Sequence, residues 1–207
     1  MKYKLNQILL DDCMNVMADI PDKYFELAII DPPYGIGAGK MTIGSGQHIF
    51  KKGDWDSKTP DKKYFDELFR ISKNQIIWGG NYYSNFLEPT PHWVVWDKMN
   101  PNLSFAEGEL AWIRNGKNLR IFKKYFANLP DGKKIHPTQK PVALYRWLLH
   151  NYAKPGDKII DTHSGSGSCA IACHIEKHDF LAIEKDPDYH AASVKRLEEV
   201  RAQGVLF

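Results

Sequence analysis

Asp31-Pro32-Pro33-Tyr34 follows directly on the apolar run Leu27–Ile30, which places it at the carboxyl end of a strand. The two prolines fix φ and remove two N–H donors, and Pro32 holds Asp31 in extended geometry. The product is a rigid corner rich in acceptors: one carboxylate, and backbone carbonyls with no competing donors. An aromatic amine entering it meets acceptors for its hydrogens and the ring of Tyr34. That chemistry positions an amino nitrogen and makes it more nucleophilic. Asp-Pro pairs also open ordinary turns, so these four residues alone leave both readings open.

Asp161-Thr162-His163-Ser164-Gly165-Ser166-Gly167-Ser168 follows a second apolar run, Lys158–Ile160. Gly165 and Gly167 permit a tight turn and a close approach of backbone to ligand. About twenty residues on, Glu184 ends the run Phe180–Ile183, where an acid accepts hydrogen bonds from a ribose diol. Glycine loop and spaced acid together point to an adenosine-containing cofactor. Ala170 stands where a dinucleotide fingerprint has its third small residue, so spacing leaves dinucleotides open. The chain has no Gly-Lys-Ser/Thr phosphate loop, which argues against an NTPase. Asp161 repels pyrophosphate and suits a cationic or amino-acid moiety.

His136-Pro137-Thr138-Gln139-Lys140-Pro141 precedes a helical pattern. Thr138 can bond backbone and Lys140 can meet a carboxylate, yet in isolation this is a loop with a proline-started helix. From Arg114 to Lys140 there are eight lysines and arginines and one acid, Asp131, with Phe122, Tyr125 and Phe126 interleaved. Basic residues among aromatics suit a phosphate backbone and exposed bases, although such runs are more often solvated faces.

The elements that must hold these groups are apolar runs bounded by turn residues: Gln7–Leu10, Leu27–Ile30, Gln75–Trp78, Trp93–Trp96, Glu109–Ile113, Lys158–Ile160 and Phe180–Ile183. Helical patterns fall at Cys13–Asp19, Lys62–Ser72, Pro141–Tyr152, Gly167–Lys177 and Pro187–Gln203. Alternation of the two argues for an α/β sheet with helices on both faces, and 207 residues suffice for one domain. Two segments break the alternation: Gly35–Thr59, rich in glycine and polar residues, and Lys98–Pro137, which holds the basic stretch and room for two short strands. Both follow strand ends, where ligands of open α/β sheets bind, so both are expected beside one cleft. Cys13, Cys169 and Cys173 form no disulfide framework. The last two share a helix face, where packing is a better reading than a metal site with His163 and His174, and no metal is expected. Trp78, Trp93, Trp96, Trp112 and Trp147 read as core. No stretch approaches the ~20 apolar residues of a membrane span, and the N-terminus lacks a signal-peptide core, so a cytoplasmic setting is the default.

The ordered set of motifs, at 31–34, 136–141 and 161–168, resembles the DNA amino-methyltransferases (adenine-N6 and cytosine-N4) in their permuted β-type arrangement. Leu9-Leu10-Asp11-Asp12-Cys13-Met14 and Ile77-Trp78-Gly79-Gly80-Asn81-Tyr82 resemble the flanking strand ends of that family. The resemblance implies a single Rossmann-like methyltransferase domain over 1–207, a doubly wound, mostly parallel seven-stranded sheet, with 35–59 and 98–135 as DNA-contacting, target-recognition insertions. It implies S-adenosylmethionine as methyl donor, lined by Asp31, Asp161, Thr162, His163, Ser164, Gly165 and Gly167. Glu184 would hold the ribose with Lys185 beside it, Asp12 would lie near the adenine, and Thr138 and Lys140 would reach the methionine portion. His163 departs from the family's usual Phe but keeps a flat ring.

Asp31, Pro32, Pro33 and Tyr34 would form the catalytic corner for a flipped base. Lys51, Lys52, Arg114, Lys117, Arg120, Lys123 and Lys124 would hold DNA phosphates. Direct transfer to the amine needs no covalent intermediate, so Cys13 reads as structural. Asp31, where cytosine-N4 enzymes more often carry Ser, favours adenine N6. The alternatives are cytosine N4, another planar amine in RNA or protein, and an inactive DNA-binding protein of the same fold. A homodimer would supply recognition surface that one small domain lacks.

Overall fold

The apolar runs assemble side by side into one sheet, and the amphipathic stretches between them cover its two faces. A computed structural model describes residues 2–40, 50, 52–101, 106–125 and 134–204. The strands are β1 (Gln7–Leu10), β2 (Phe25–Ile30), β3 (Ser72–Trp78), β4 (Trp93–Asp97), β5 (Gly108–Ile113), β6 (Arg120–Lys123), β7 (Ile159–Asp161) and β8 (Phe180–Glu184). The helices are α1 (Cys13–Ala18), α2 (Lys62–Ile71), α3 (Val142–Tyr152), α4 (Ser168–Ile175) and α5 (Pro187–Ala202).

The sheet order is β1-β8-β7-β2-β3-β5-β4-β6. Only β5, among the described strands, runs antiparallel to its neighbours; the other pairings are parallel. The described strands number eight where seven were expected. The addition is β6, Arg120-Ile121-Phe122-Lys123, an edge strand that alternates between half-buried and exposed residues. It lies in the segment where the sequence leaves room for two short strands, and it lacks the continuous apolar run of a strand covered on both faces. Within 98–135, β5 is a full member of the sheet between β3 and β4.

Period-two alternation divides each central strand between two cores. Leu27 and Ile29 of β2 pack with Leu144 and Leu148 of α3, Ala170 and Cys173 of α4, and Leu197 of α5. Ala28 and Ile30 pack with Val16 and Met17 of α1 and Phe65 and Leu68 of α2. Each fully buried Leu, Ile or Phe contributes roughly 1.5–3 kcal/mol. Cys169 and Cys173 belong to the first core, as do Trp78 and Trp96; Trp112 belongs to the second.

Three aspartates start helices: Asp12 accepts from the Met14 N–H, Asp61 from Tyr64, and Asp186 from Asp188 and Tyr189. Each such cap contributes ~1 kcal/mol. Asp12 and Asp186 follow β1 and β8, so α1 and α5 begin at the carboxyl edge of the sheet.

Register then places the chemistry. Leu27 pairs with Ile159 and Ala28 with Ile160, so the loop after β7 emerges beside the corner after β2 despite their distance in sequence. Ligands of open α/β sheets bind outside these carboxyl ends. No described helix is long and apolar enough to cross a membrane.

Candidate active site

A cleft of ≈ 1530 Å³ opens over the carboxyl ends of the central strands. Most small-molecule sites are smaller, about 300–1,000 Å³, so this one has room for a cofactor and a second reactant. Asp31, Pro32, Pro33 and Tyr34 line it together with Thr162, His163, Ser164 and Gly165, and Asp12, Thr138, Lys140, Glu184 and Lys185 are also in its walls.

The acceptor corner is more heavily engaged than its sequence implied. Tyr34 donates its hydroxyl to Asp31 Oδ1 at 2.7 Å, and Lys140 Nζ donates to Asp31 Oδ2 at 2.5 Å. Tyr83 donates to the carbonyls of Pro32 at 2.8 Å and Pro33 at 2.7 Å. The expectation of carbonyls free of competing donors is therefore corrected, because the donors come from distant segments. Lys140 is also 2.9 Å from Glu109 Oε2, and Lys98 is 2.6 Å from Glu109 Oε1. The Lys140 side chain is only 2% exposed. Its ammonium is committed to the two carboxylates, rather than standing free for a methionine carboxylate as expected.

Environment separates the two acids. Burial pushes the Asp31 carboxyl up, against the pull of Lys140, and the charge of Glu109 adds to the rise. Burial acts the same way on Glu109, but Lys140 and Lys98 together bring it down to about 2. Burial opposes the charge on Lys140, yet Asp31 and Glu109 raise its pKa above the ordinary lysine value. Two carboxyls with divergent pKa values mark distinct roles. Both lysines rest on indole rings, Lys140 5.3 Å from Trp78 and Lys98 5.3 Å from Trp96.

The ring of Tyr34 lies against the backbone of Gly79. A Cβ at Gly79 would fall 2.2 Å from Tyr34 Cε1, and φ there is +70°. On ring geometry, Tyr82 stacks with Tyr34 at 4.9 Å and 16°.

At the other wall, Gly165 adopts φ +50° and donates its N–H to Glu184 Oε2 at 2.7 Å. Glu184 Oε1 accepts from the Lys185 and Asp186 N–H groups, each at 2.9 Å. Three backbone donors thus hold the carboxylate at the end of β8, while burial raises its pKa. His163 stands beside Tyr64, with its Nδ1 3.0 Å from Thr162 Oγ1. Burial lowers its pKa to about 4, so the ring is a neutral aromatic surface at pH 7. Thr162 is fixed in turn by the Tyr64 hydroxyl at 2.6 Å. Thr138 Oγ1 lies 3.0 Å from His136 Nδ1. Asp12 combines its helix cap with an ion pair to Lys185 at 2.7 Å. Burial pushes the Cys13 thiol up to about 12, far from a thiolate nucleophile.

Asp161 and Gly167 stand behind this wall instead of lining it. Asp161 accepts from the His163 N–H at 3.1 Å, and burial pushes its carboxyl up to about 8. Gly167 begins α4 and packs on Ser193 of α5. Sequence reasoning missed Glu109, Lys98, Tyr83 and Arg196. The last donates from α5 to the Ser166 carbonyl and Ser168 Oγ, both at 2.9 Å, and ties down the glycine loop. None belongs to a recognisable motif.

The structure divides the expected phosphate contacts. Lys123 of β6 pairs with Asp97 at the carboxyl end of β4, and Lys124 follows it, at the cleft end of the strands though outside the cleft lining. Arg114 bonds through its backbone to Gln75 in the middle of β3, the next residue Asn115 bonds to Asn74, and Lys117 reaches Asn151 at the end of α3. That is the opposite end of the strands from the cleft. Arg120 packs on Trp147. Lys52 is exposed, and Lys51 lies outside the described residues. The antiparallel β5 carries the chain away from the cleft and β6 carries it back, which splits a continuous basic run. Lys134, by contrast, lines the cleft.

A mostly parallel sheet with an acceptor corner facing a glycine loop and a fixed acid defines an α/β enzyme that brings a nucleotide-like cofactor to an amine. The family model described as DNA methylase, covering the N6 and N4 amino-methyltransferases, matches residues 89–195, more than half of the chain, and the chain belongs to that family. It is 26% identical to the Type II methyltransferase M.HinfI of Haemophilus influenzae over 95% of this chain and 69% of that protein. The fold matches M1.HpyAVI, solved in complex with SAM, at a TM-score of 0.62 and 20% identity, over 92% of this chain and 98% of that one. It also matches the cytosine-N4-specific PvuII DNA methyltransferase at a TM-score of 0.63 and 14% identity, over 94% and 89%.

The glycine under Tyr34 yields a direct test. Gly79→Ala places a methyl group inside the Tyr34 ring and forces a side chain to positive φ, a strain of ~1 kcal/mol or more. Turnover of DNA methylation is expected to fall ~100-fold, since small misplacements at a reacting centre have effects of that order. Wild-type turnover in this variant would show that the Tyr34 position is not critical.

Proposed function

We propose that this DNA methylase transfers a methyl group from S-adenosylmethionine to N6 of adenine in a flipped-out base. The observation that carries the reading is the Asp31 carboxylate, held at the end of β2 with its pKa raised, facing the loop of β7 across one cleft.

The cofactor side fits an adenosine bearing a cationic amino-acid arm. Glu184 has used three of its roughly four acceptor positions on backbone, leaving capacity for a ribose hydroxyl. Ser164 Oγ is buried in the lining with no partner among the described residues. His163 offers a neutral ring, Asp12 and Lys185 border the adenine end, and Thr138 borders the methionine end. When bound, S-adenosylmethionine supplies an electrophilic methyl group on a sulfonium. The chain's own residues do the rest. A base must leave the duplex to be reached, and it stacks on Tyr34 in place of the exposed Tyr82 ring. Asp31 and the remaining lone pair of the Pro32 carbonyl accept from the exocyclic amine, which fixes its orientation. Acceptors aimed at charge that develops on the nitrogen lower the barrier. By family resemblance, Asp rather than Ser at position 31 favours adenine over cytosine.

The test is mass spectrometry of nucleosides from DNA incubated with protein and S-adenosylmethionine. N6-methyladenine is the expected product; N4-methylcytosine would keep the chemistry and overturn the base. No methylated base, despite measurable cofactor binding, would overturn DNA as the substrate.

DNA contacts should follow the cleft rather than the basic run. Lys123→Ala and Lys124→Ala together are expected to weaken DNA binding ~10-fold and to reduce the slope of log affinity against log salt by about 2. Arg114→Ala with Lys117→Ala is expected to change affinity less than ~2-fold. Equal effects of the two pairs, measured by fluorescence anisotropy over a salt series, would remove this assignment.

A further inference from the structure

Glu109, half-buried, is an acid that the reaction outlined above does not use, yet it contacts both Lys140 and Tyr34, the side chains that engage Asp31. Lys140 Nζ lies 2.5 Å from Asp31 Oδ2 and 2.9 Å from Glu109 Oε2. The Tyr34 hydroxyl lies 2.7 Å from Asp31 Oδ1 and 3.2 Å from the same Glu109 Oε2. One oxygen of Glu109 therefore stands within reach of both donors that engage Asp31. Its other oxygen is anchored by Lys98 at 2.6 Å.

We propose that Glu109 is a positioning residue: when the target amine reaches Asp31, the Tyr34 hydroxyl and the Lys140 ammonium pass their hydrogen bonds from Asp31 to Glu109. The exchange frees acceptor positions on Asp31 and moves a positive charge away from a nitrogen that becomes cationic. No proton changes owner; Lys140 remains an ammonium and Glu109 a carboxylate. The inference rests on the reading of Asp31 as the acceptor of the amine.

The need for a second acceptor follows from charge. Without Glu109, Lys140 has Asp31 as its single carboxylate partner, and a buried ion pair in a medium of low dielectric does not readily open. Asp31 would then be held by the lysine against the incoming amine. Other groups face Asp31 as well: Tyr83 after β3, Asp161 at the end of β7 and Tyr145 of α3, each electrostatically coupled to it. Lys98 approaches from the end of β4 through Glu109. None of these is within hydrogen-bonding distance of both Lys140 and Tyr34 in the manner of Glu109.

The test compares wild type with Glu109→Gln in two measurements. In steady-state methylation, kcat is expected to fall ~30-fold with KM for DNA and for S-adenosylmethionine changed less than ~3-fold, and the acid limb of kcat is expected to move about one unit lower in pH. In a carboxyl-carbon NMR titration of the protein without DNA, the Asp31 resonance is expected to titrate lower by a similar amount, because a like charge is gone and Lys140 is no longer shared. The double variant Glu109→Gln/Lys98→Met removes one charge of each sign; if the single variant unfolds, the same kinetic and titration shifts are expected there. A loss of kcat with neither the acid limb nor the Asp31 titration displaced would overturn the proposal in favour of a structural role. Wild-type kcat in the variant would overturn it outright. If wild type makes no methylated base, the functional reading fails, while the NMR shift still reports on whether Glu109 shares Lys140 with Asp31.

Discussion

Asp31→Ala is expected to lower the rate of methyl transfer by ~10³-fold, about 4 kcal/mol of transition-state stabilisation. Cofactor affinity, read by calorimetry, should change less than ~3-fold. The split follows from position: Asp31 follows β2, whereas Gly165 and Glu184, proposed to hold the cofactor, lie after β7 and at the end of β8. The variant should remain folded. Lys140 and the Tyr34 hydroxyl both keep Glu109 within reach, at 2.9 Å and 3.2 Å, so no buried cation is left without an acceptor. A turnover close to wild type in single-turnover assays would exclude Asp31 as the acceptor of the amine, whatever base proves to be modified.

Lys140→Met should affect stability and pH response together. Removing one member of a buried, hydrogen-bonded charge cluster costs ~3–5 kcal/mol, which for a chain of this size corresponds to a fall in Tm of about 10 °C. The loss leaves Asp31 and Glu109 facing each other with only Lys98 between the signs. The Asp31 carboxyl, already raised by burial, loses its main opposing pull and rises further. The acid limb of kcat should therefore move to higher pH, the reverse of the shift expected for Glu109→Gln. Stability should respond in the matching sense. An acid with a raised folded pKa contributes stability that is full below its unfolded value and lost as pH rises through the folded one. The Tm deficit of the variant should thus shrink on acidification toward pH 5. In the wild type Glu109, brought down to about 2 by both lysines, contributes in the other direction, and its share is lost as pH falls through that value. Melting curves and kcat profiles across pH 5–9 decide the matter; an acid limb displaced downward would contradict this picture of the network.

The fold divides the basic stretch between the two ends of the sheet. Arg114 to Lys124 looks like one phosphate-binding ribbon, since charge density is all that a linear reading offers. Strand direction separates it: β5 descends from the cleft edge, the turn at Asn115 and Gly116 lies at the far end, and β6 climbs back. Lys134 and Lys140 of the basic stretch line the cleft with Lys98, and β6 brings Lys123 and Lys124 back to the same end of the strands.

Seven of the described strands and all five helices were legible because each carries a periodic apolar pattern and a local stop or start signal. Asp186 and Pro187 open α5, and the run Ile-Ile-Asp before the glycine loop closes β7. Local chemistry was legible for the same reason. Proline fixes the backbone at positions 32 and 33, and glycine permits the turn at 165, whatever surrounds them. The sequence by itself determined the strand-ending corner, the glycine loop, the spaced acid and the order in which they occur. Only the tertiary structure decided that Lys140 and Glu109 meet at Asp31, that Tyr83 holds the proline carbonyls, and that Arg196 braces the glycine loop. Those contacts join residues far apart in the chain, brought together by the sheet order and the parallel register of β2 with β7 and β3. Hydrophobic periodicity specifies which face a side chain takes, but not which distant polar partner it will find there.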